Sequence, residues 1–375
     1  MEKEVITFKS GKFVFTHKYS RETLALPLVE ATILYETVVD LPILPQLASR
    51  LQQDLIRRSI FGTAALEGNP LTEEQVGEIL AESDRVKSKE KAETEIRNLQ
   101  SAYDFINRQE SYGSKIELSE DLIRRLHSLI TSDVQHENNI PGQYRNHKVN
   151  VGNADHGGVY TPPKILADIE TLMREYVAWI NSDEVVNLPI QIRAALSHYY
   201  LGLIHPFGDG NGRTARIIEA LLLQLSGAKY VPIMLSNHYY RNIDDYFWAF
   251  SQTIKAKDRD VTPFLEFFIK CYNSALREIK QNITFFIRRH ALRDYYVFMR
   301  NGKYIAQRQH DLLDTLLDYA SPFSLKDLSS VSQFNVLYRR VSERTARRDL
   351  KKLAQMQLLI IRDDGKYDIN YRALG

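Results

Sequence analysis

A single cysteine, Cys271, in 375 residues leaves no internal disulfide available, and no Cys/His cluster has the ligand spacing of a structural zinc site. Cys271 reads as a small buried hydrophobe. Long apolar runs are missing as well: the most apolar stretch, near Ile217–Leu225, is too short to cross a bilayer. Behind the charged start Met1-Glu2-Lys3-Glu4 there is no apolar segment with a small-residue cleavage site, so no secretory signal is expected and a cytoplasmic protein is. Internal repeats and low-complexity tracts are absent, which removes the solenoid folds. Nor does any glycine-rich loop end in Gly-Lys-Ser/Thr, so a Walker-type phosphate loop is excluded.

What remains is an ordinary globular composition, 44% hydrophobic and 26% charged, long enough for two domains or for one large domain with an appendage. The net charge of +2 hides an asymmetry. Gln281–Gly375 carries 17 Lys and Arg against 10 Asp and Glu, so the tail is basic and the rest acidic. Helical periodicity dominates from Leu44 to Ile287, with Leu47, Leu51 and Leu55 stepping by four and similar patterns over Leu122–Ile130, Ile165–Ile180 and Pro189–Ile204. One short hairpin is expected inside it, with strands Lys148–Val151 and Val159–Thr161 around the turn cluster Gly152–Gly158. After Arg300 the spacing predicts helices over Asp311–Tyr319, Ser324–Ser330 and Ser342–Gln355, then strands Leu358–Arg362 and Lys366–Asn370 around Asp364-Gly365. Three helices and a hairpin outline a winged helix-turn-helix.

The chemically dense segment is His205-Pro206-Phe207-Gly208-Asp209-Gly210-Asn211-Gly212-Arg213-Thr214-Ala215-Arg216. Lying between two apolar helical runs, it reads as a loop that opens a helix near Asn211. Its glycines allow close backbone approach, and the helix start offers free N–H groups and the positive end of the dipole. Arg213 and Arg216, three apart, share one side and can fork onto phosphate oxygens. Asp209 is a hard oxygen ligand suited to Mg²⁺, and His205 can accept a proton near neutral pH. Taken singly, each residue is also what a plain helix–loop–helix turn would contain; the combination favours an anion site.

The segment matches in full the HPFx[D/E]GNGRxxR signature of Fic-domain proteins, and the chain resembles that family from about Leu44 to Cys271, including Gly142-Gln143-Tyr144-Arg145 and the hairpin before Tyr160–Pro163, which looks like the family's substrate-binding flap. The resemblance implies a mainly α fold, a Fic-type helical bundle with a short β-hairpin flap, followed by the winged helix-turn-helix. The expected division is 1–110 for an N-terminal helical region, 111–290 for the catalytic core and 291–375 for the tail. It also implies a protein adenylyltransferase that moves AMP from ATP to a Ser, Thr or Tyr hydroxyl of a protein, which could be the enzyme itself. In that scheme His205 is the base, Asp209 holds Mg²⁺, Gly210, Asn211 and Gly212 line the anion hole, and Arg213 contacts the departing pyrophosphate. Phe207 anchors the loop in the core. Asn242, Tyr246 and Phe247 fall, more loosely, where the family places nucleoside-pocket residues; core packing is an equal reading for the two aromatic residues.

Thr63–Gly68 resembles the [S/T]xxxE[G/N] inhibitory motif of some Fic proteins, which implies that Glu67 pairs with Arg216 and blocks the ATP γ-phosphate. Read on residues alone it is a helix end at Gly68 followed by a capping box at Thr72 and Gln75. The net direction, AMP addition or removal, stays open, as do the target and a homodimer. Arg344, Arg347, Arg348 and Lys351 lie on or near one face of the third tail helix, as in a recognition helix that contacts DNA, although winged helices also bind proteins. A nucleotide-sensing DNA-binding regulator is therefore the rival to the enzyme. His147 and His156 are expected to be solvent-exposed flap residues without a metal role.

Overall fold

The alternation of Val5 and Thr7 with exposed neighbours, answered by Phe13 and Phe15, closes an antiparallel hairpin of β1 (Lys3–Ile6) and β2 (Lys12–Phe15). The expectation of a helical region over 1–110 named no strand here; the strands form because Phe15 is wholly buried and the turn is fastened to Asp168, whose carboxylate accepts the backbone N–H groups of Phe8, Lys9 and Ser10. The computed structural model describes residues 2–82, 90–108, 117–227, 230, 234–319 and 321–374, and they divide into two units, Met1–Asp40 with Leu44–Ile279 and Leu41–Ile43 with Lys280–Gly375. The boundary expected between residues 110 and 111 lies outside the described residues.

In the first unit the hairpin is followed by α1 (Arg21–Asp40), α2 (Pro45–Leu66), α3 (Glu73–Ala81), α4 (Lys91–Asn107) and α5 (Glu120–Thr131). Next comes the hairpin of β3 (Val151–Asn153) and β4 (Gly158–Tyr160), then α6 (Leu166–Ile180), α7 (Asp183–Val186), α8 (Ile190–Ile204), α9 (Asn211–Leu225), α10 (Leu235–Arg241) and α11 (Ile243–Lys255). Helix α12 (Thr262–Asn301) contains the boundary between units. The protein is mainly helical, and among the described residues its strands form only two-stranded hairpins. No described helix is long and apolar enough to cross a membrane.

Helix α8 is apolar nearly all round and buries Ile192, Ala195, Leu196, Leu201 and Ile204 together with Tyr199 and Tyr200, so it runs through the core rather than over it. Helix α9 lies along it and buries Ile217, Ile218 and Ala220–Leu223. The loop 205–210 therefore hangs between two helices fixed at the centre of the unit. Helix α2 packs closely on α10 at Gly62, where a Cβ would stand 2.7 Å from the Asn237 backbone. Cys271 is buried as expected, and burial pushes its thiol up to about 12.

In the second unit α13 (Gln307–Asp318), α14 (Asp327–Ser330), α15 (Ser332–Tyr338) and α16 (Glu343–Gln355) precede the hairpin of β5 (Leu359–Ile361) and β6 (Tyr367–Ile369). Its core gathers Leu312, Leu316, Phe323, Phe334, Leu350, Leu353 and Ile369. Ser342 caps α16 by accepting the Thr345 N–H, as expected. Ser324 does not cap its helix; the bond runs the other way, from its N–H to the Asp327 carboxylate. Asp349, 5% exposed, joins three helices by accepting from Arg308, Gln309 and Tyr338.

Candidate functional site

His205 ends α8 in the left-handed conformation, φ 50°, which turns the chain sharply out of the helix. Its Nδ1 lies 3.3 Å from the Gly202 carbonyl, which can only accept, so Nδ1 carries the proton and Nε2 keeps its lone pair. Burial first, and Arg145 second, push the imidazole down to about 4, so it is neutral at physiological pH. Phe207 is buried and its ring stacks on His127 at 3.7 Å with a 3° tilt. The Asn211 side chain closes the loop on itself: Oδ1 accepts from the Phe207 N–H at 2.9 Å and Nδ2 donates to the Phe207 carbonyl at 2.9 Å. These two bonds tie the Asn211 amide to the backbone of the loop.

Gly210 precedes α9 at φ 77°, and a Cβ there would stand 2.8 Å from the Thr131 methyl. Behind the loop, His127 accepts the Gly142 N–H on Nδ1 and donates from Nε2 to the Asp209 carbonyl, each at 2.9 Å. Periodicity places His127 on the buried face of α5, but nothing in its spacing marks it as the loop's support.

The two arginines of α9 are buried, 3% and 2% exposed, and incompletely satisfied. Arg213 donates from Nη2 to Asp209 at 2.7 Å, and its Nη1 lies 3.3 Å from the carboxylate of Glu95 on α4. Arg216 donates from Nη2 to Glu67 at 2.6 Å and to the Thr63 carbonyl at 3.2 Å, and from Nη1 to the Tyr246 hydroxyl at 3.4 Å. Among the described residues Arg213 Nε and Nη1 and Arg216 Nε donate to no acceptor. Buried donors without partners are costly, so the two guanidinium groups have capacity for further oxyanions.

Glu67 follows α2 at its C-cap. The Gly68 N–H donates to the Ala65 carbonyl and the Asn69 N–H to that of Ala64, a Schellman pairing that needs Gly68 at φ 82°. The carboxylate is thereby thrown onto Arg216 and over Gly212, where any Cβ would collide with it. Burial alone would raise its carboxyl, but Arg216 and Arg213 hold it below the usual range. The capping box of Thr72 and Gln75 is present with both bonds.

A cavity of about 260 Å³ opens beside Arg216 and is lined by Glu67, His205, Gly212, Tyr246 and Phe247 together with both strands of the β3–β4 hairpin. Tyr246 is clamped from behind by His198 at 3.0 Å, itself on Glu219 at 2.5 Å, a buried chain the sequence did not reveal. Asn242 does not line the cavity; its amide donates to the His238 carbonyl at 2.8 Å. His156 is not a solvated loop residue. Its side chain is 17% exposed, lines the cavity, meets Asp244 at 2.8 Å and packs on the Phe247 ring. His147 is half-buried, and its carbonyl accepts from Arg145.

Among the described residues no three His, Cys, Asp or Glu side chains cluster as metal ligands. Asp209 is nonetheless compatible with Mg²⁺, which binds through one or two carboxylates, water and substrate phosphates. Burial would raise its carboxyl, yet Arg213 and the Gly210 N–H keep it ionised, and its side chain is 24% exposed.

Residues 117–223 match the Fic/DOC family. Protein adenylyltransferase Fic of Drosophila erecta is 30% identical over 228 residues, 60% of this chain and 42% of that protein, and the Drosophila virilis protein of the same name is 29% identical over 43% of its length. The chain thus spans less than half the length of these curated relatives. Among solved structures, a Fic family protein from Desulfovibrio desulfuricans G20 superimposes with a TM-score of 0.56 at 19% identity over 93% of this chain and 96% of that one. A Fic domain containing signaling protein from Bacteroides thetaiotaomicron does so with a TM-score of 0.56 at 24% identity over 68% and 96%. The loop, the two arginines and the β3–β4 hairpin all lie within residues 117–223, the stretch that matches the Fic/DOC family.

Proposed function

We propose that this chain is a protein adenylyltransferase that moves AMP from ATP to a Ser, Thr or Tyr hydroxyl of a protein, and that Glu67 restrains it. The observation that carries the reading is the carboxylate seated on Arg216 across Gly212, at the N-terminus of α9. An oxyanion already lies where backbone N–H groups and two buried guanidinium groups converge, and the phosphates of ATP are the oxyanions that would replace it.

In this scheme the target hydroxyl gives its proton to His205 Nε2. Its oxygen forms the bond to the α-phosphorus as the bond to the bridging oxygen of the β-phosphate breaks, and pyrophosphate leaves. Gly210, Gly212 and the Asn211 backbone face the phosphates, while Arg213 and Arg216 take up charge on the leaving group, so positioning and electrostatics supply most of the rate. Asp209 would hold Mg²⁺, which when bound neutralises phosphate charge. Tyr246 and Phe247 wall the nucleoside end of the cavity. The Glu67 carboxylate and a phosphate compete for the same Arg216 N–H, so resting activity is low.

The test is transfer from α-labelled ATP with Mg²⁺, comparing wild type, Glu67→Gly, and Glu67→Gly with His205→Ala. Labelled protein that rises with Glu67→Gly and vanishes with His205→Ala is expected; equal label in all three sinks the mechanism. Release of label from a modified target, rather than uptake, would show the reverse direction. The division at 110 and 290 and the winged-helix reading of α13 to β6 belong to the same proposal. Arg344, Arg347, Arg348 and Lys351 are all exposed on α16, which favours nucleic acid as a second partner.

A further inference from the structure

Arg145 is 3% exposed and pairs with no carboxylate among the described residues. Every hydrogen bond its side chain makes among the described residues is to a backbone carbonyl. Nε donates to His205 at 2.7 Å, Nη1 to His147 at 2.5 Å, and Nη2 to Pro163 at 2.7 Å and to Ile204 at 3.5 Å; its own N–H donates to the Pro206 carbonyl at 2.9 Å. These acceptors come from three stretches of chain: the C-terminus of α8 with the turn that follows it, the segment entering the β3–β4 hairpin, and the segment leaving it. A buried cation with no counter-anion is expensive, and burial lowers even this guanidinium to about 10. The negative end of the α8 dipole offsets only part of that cost. Packing alone would be served better by an apolar side chain.

We infer that Arg145 is the positioning residue of the proposed base: it holds the left-handed turn that aims His205 into the cavity and ties both stems of the hairpin to that same turn. This rests on the adenylyltransferase reading insofar as His205 is the base. A left-handed residue other than glycine is strained, and the bonds to the His205 and Pro206 carbonyls hold the backbone there. The charge acts as well. Beside the dominant effect of burial, Arg145 disfavours the imidazolium, while Glu67 and Asp209 act in the opposite sense and are outweighed.

The test compares Arg145→Lys and Arg145→Gln in the full chain carrying Glu67→Gly, with three readouts: melting temperature, transfer rate with the KM for ATP, and the NMR titration of the His205 imidazole. Lysine keeps the charge but cannot reach four carbonyls. It should fold, leave the imidazole titrating near its parent value, and lower kcat on the order of 10²-fold with little change in KM, as expected for a misplaced base. Glutamine should lower kcat similarly and move the imidazole midpoint upward by roughly a unit, the effect of one nearby charge at moderate effective dielectric. Folded variants with kcat within two-fold of the parent, or an unmoved midpoint in folded Arg145→Gln, overturn the inference. Should Arg145→Gln fail to fold, the kcat and KM of Arg145→Lys decide. If the Glu67→Gly parent transfers no AMP, the proposed function fails. The positioning role then stands or falls on the titrations and on whether the His205 and Gly202 amide signals shift.

Discussion

His205 meets the requirements of a general base, with Nδ1 anchored, Nε2 open and the ring neutral. His205→Ala in the Glu67→Gly background is expected to lower transfer by ~10²–10⁴-fold while ATP affinity, measured by calorimetry, changes little. His127 leads to a prediction about pH. Burial pushes its imidazole down to about 4 from 6.5, and its Nδ1 already accepts an N–H, so a proton there would displace the Gly142 bond. A histidine depressed in the fold stabilises fully above its unfolded value and loses that contribution as pH falls toward the folded one. Stability to urea should therefore be flat above about pH 6.5 and fall toward pH 4, by on the order of 3 kcal/mol for His127 alone. A His127→Gln curve as steep as wild type would refute this. The segment His205 to Arg216 was legible as a loop opening a helix because its glycines, Asn and charges sit between two apolar helical runs. His127, Arg145, Glu95 and the His198–Glu219 pair were not, since what each does depends on which backbone atom or side chain tertiary packing brings to it.

At the scale of elements, the turn after α2 decides where Glu67 points. Gly68 has open space around its α-carbon, so Gly68→Ala meets no clash but must hold φ 82°, which should cost about 1 kcal/mol. The expected result is a slightly lower melting temperature together with raised auto-modification, because a frayed cap lets the carboxylate leave Arg216. Glu67→Gly should raise auto-modification further and lower the melting temperature more, because it leaves the buried Arg216 without its carboxylate. The helices that bracket the site were readable from their apolar spacing to within a residue or two. The hairpin was readable as a hairpin but not in register: pairing begins at Val151 rather than Lys148, and Gly152 pairs with Val159 instead of turning. Glycines at positive φ on both strands, Gly152 at 90° and Gly158 at 105°, look like turn residues in sequence. Helix α15 was missed because its Val, Asn and Ser are poor helix formers; Phe334 and Tyr338, one turn apart, bury against the second unit's core and override that preference.

For the whole molecule, the two units carry separable expectations. The exposed cations of α16 predict that the full chain shifts duplex DNA in a gel at low salt, and that the shift weakens steeply as salt rises. Replacing Arg344, Arg347 and Arg348 by Ala should abolish the shift and leave transfer activity unchanged; a shift that survives, or one insensitive to salt, would remove the nucleic-acid reading. The asymmetry of charge between the units was visible in composition; the boundary expected at 290 and the division at Ile279 both fall inside α12, where a continuous helix gives no break in periodicity to fix the position.

The close passage of α2 over α10 at Gly62 has a kinetic consequence. No side chain separates the two backbones there, and α2 also buries Leu51, Leu55, Ile60 and Leu66, so the helix can depart only when the unit unfolds. Amide protons of α2 should then exchange with solvent as slowly as those of α8, in wild type and in Glu67→Gly alike. Relief of the restraint is left to the last turn and one side chain, a motion of nanoseconds rather than of seconds. A ligand that frees Arg216 need only outcompete a single carboxylate.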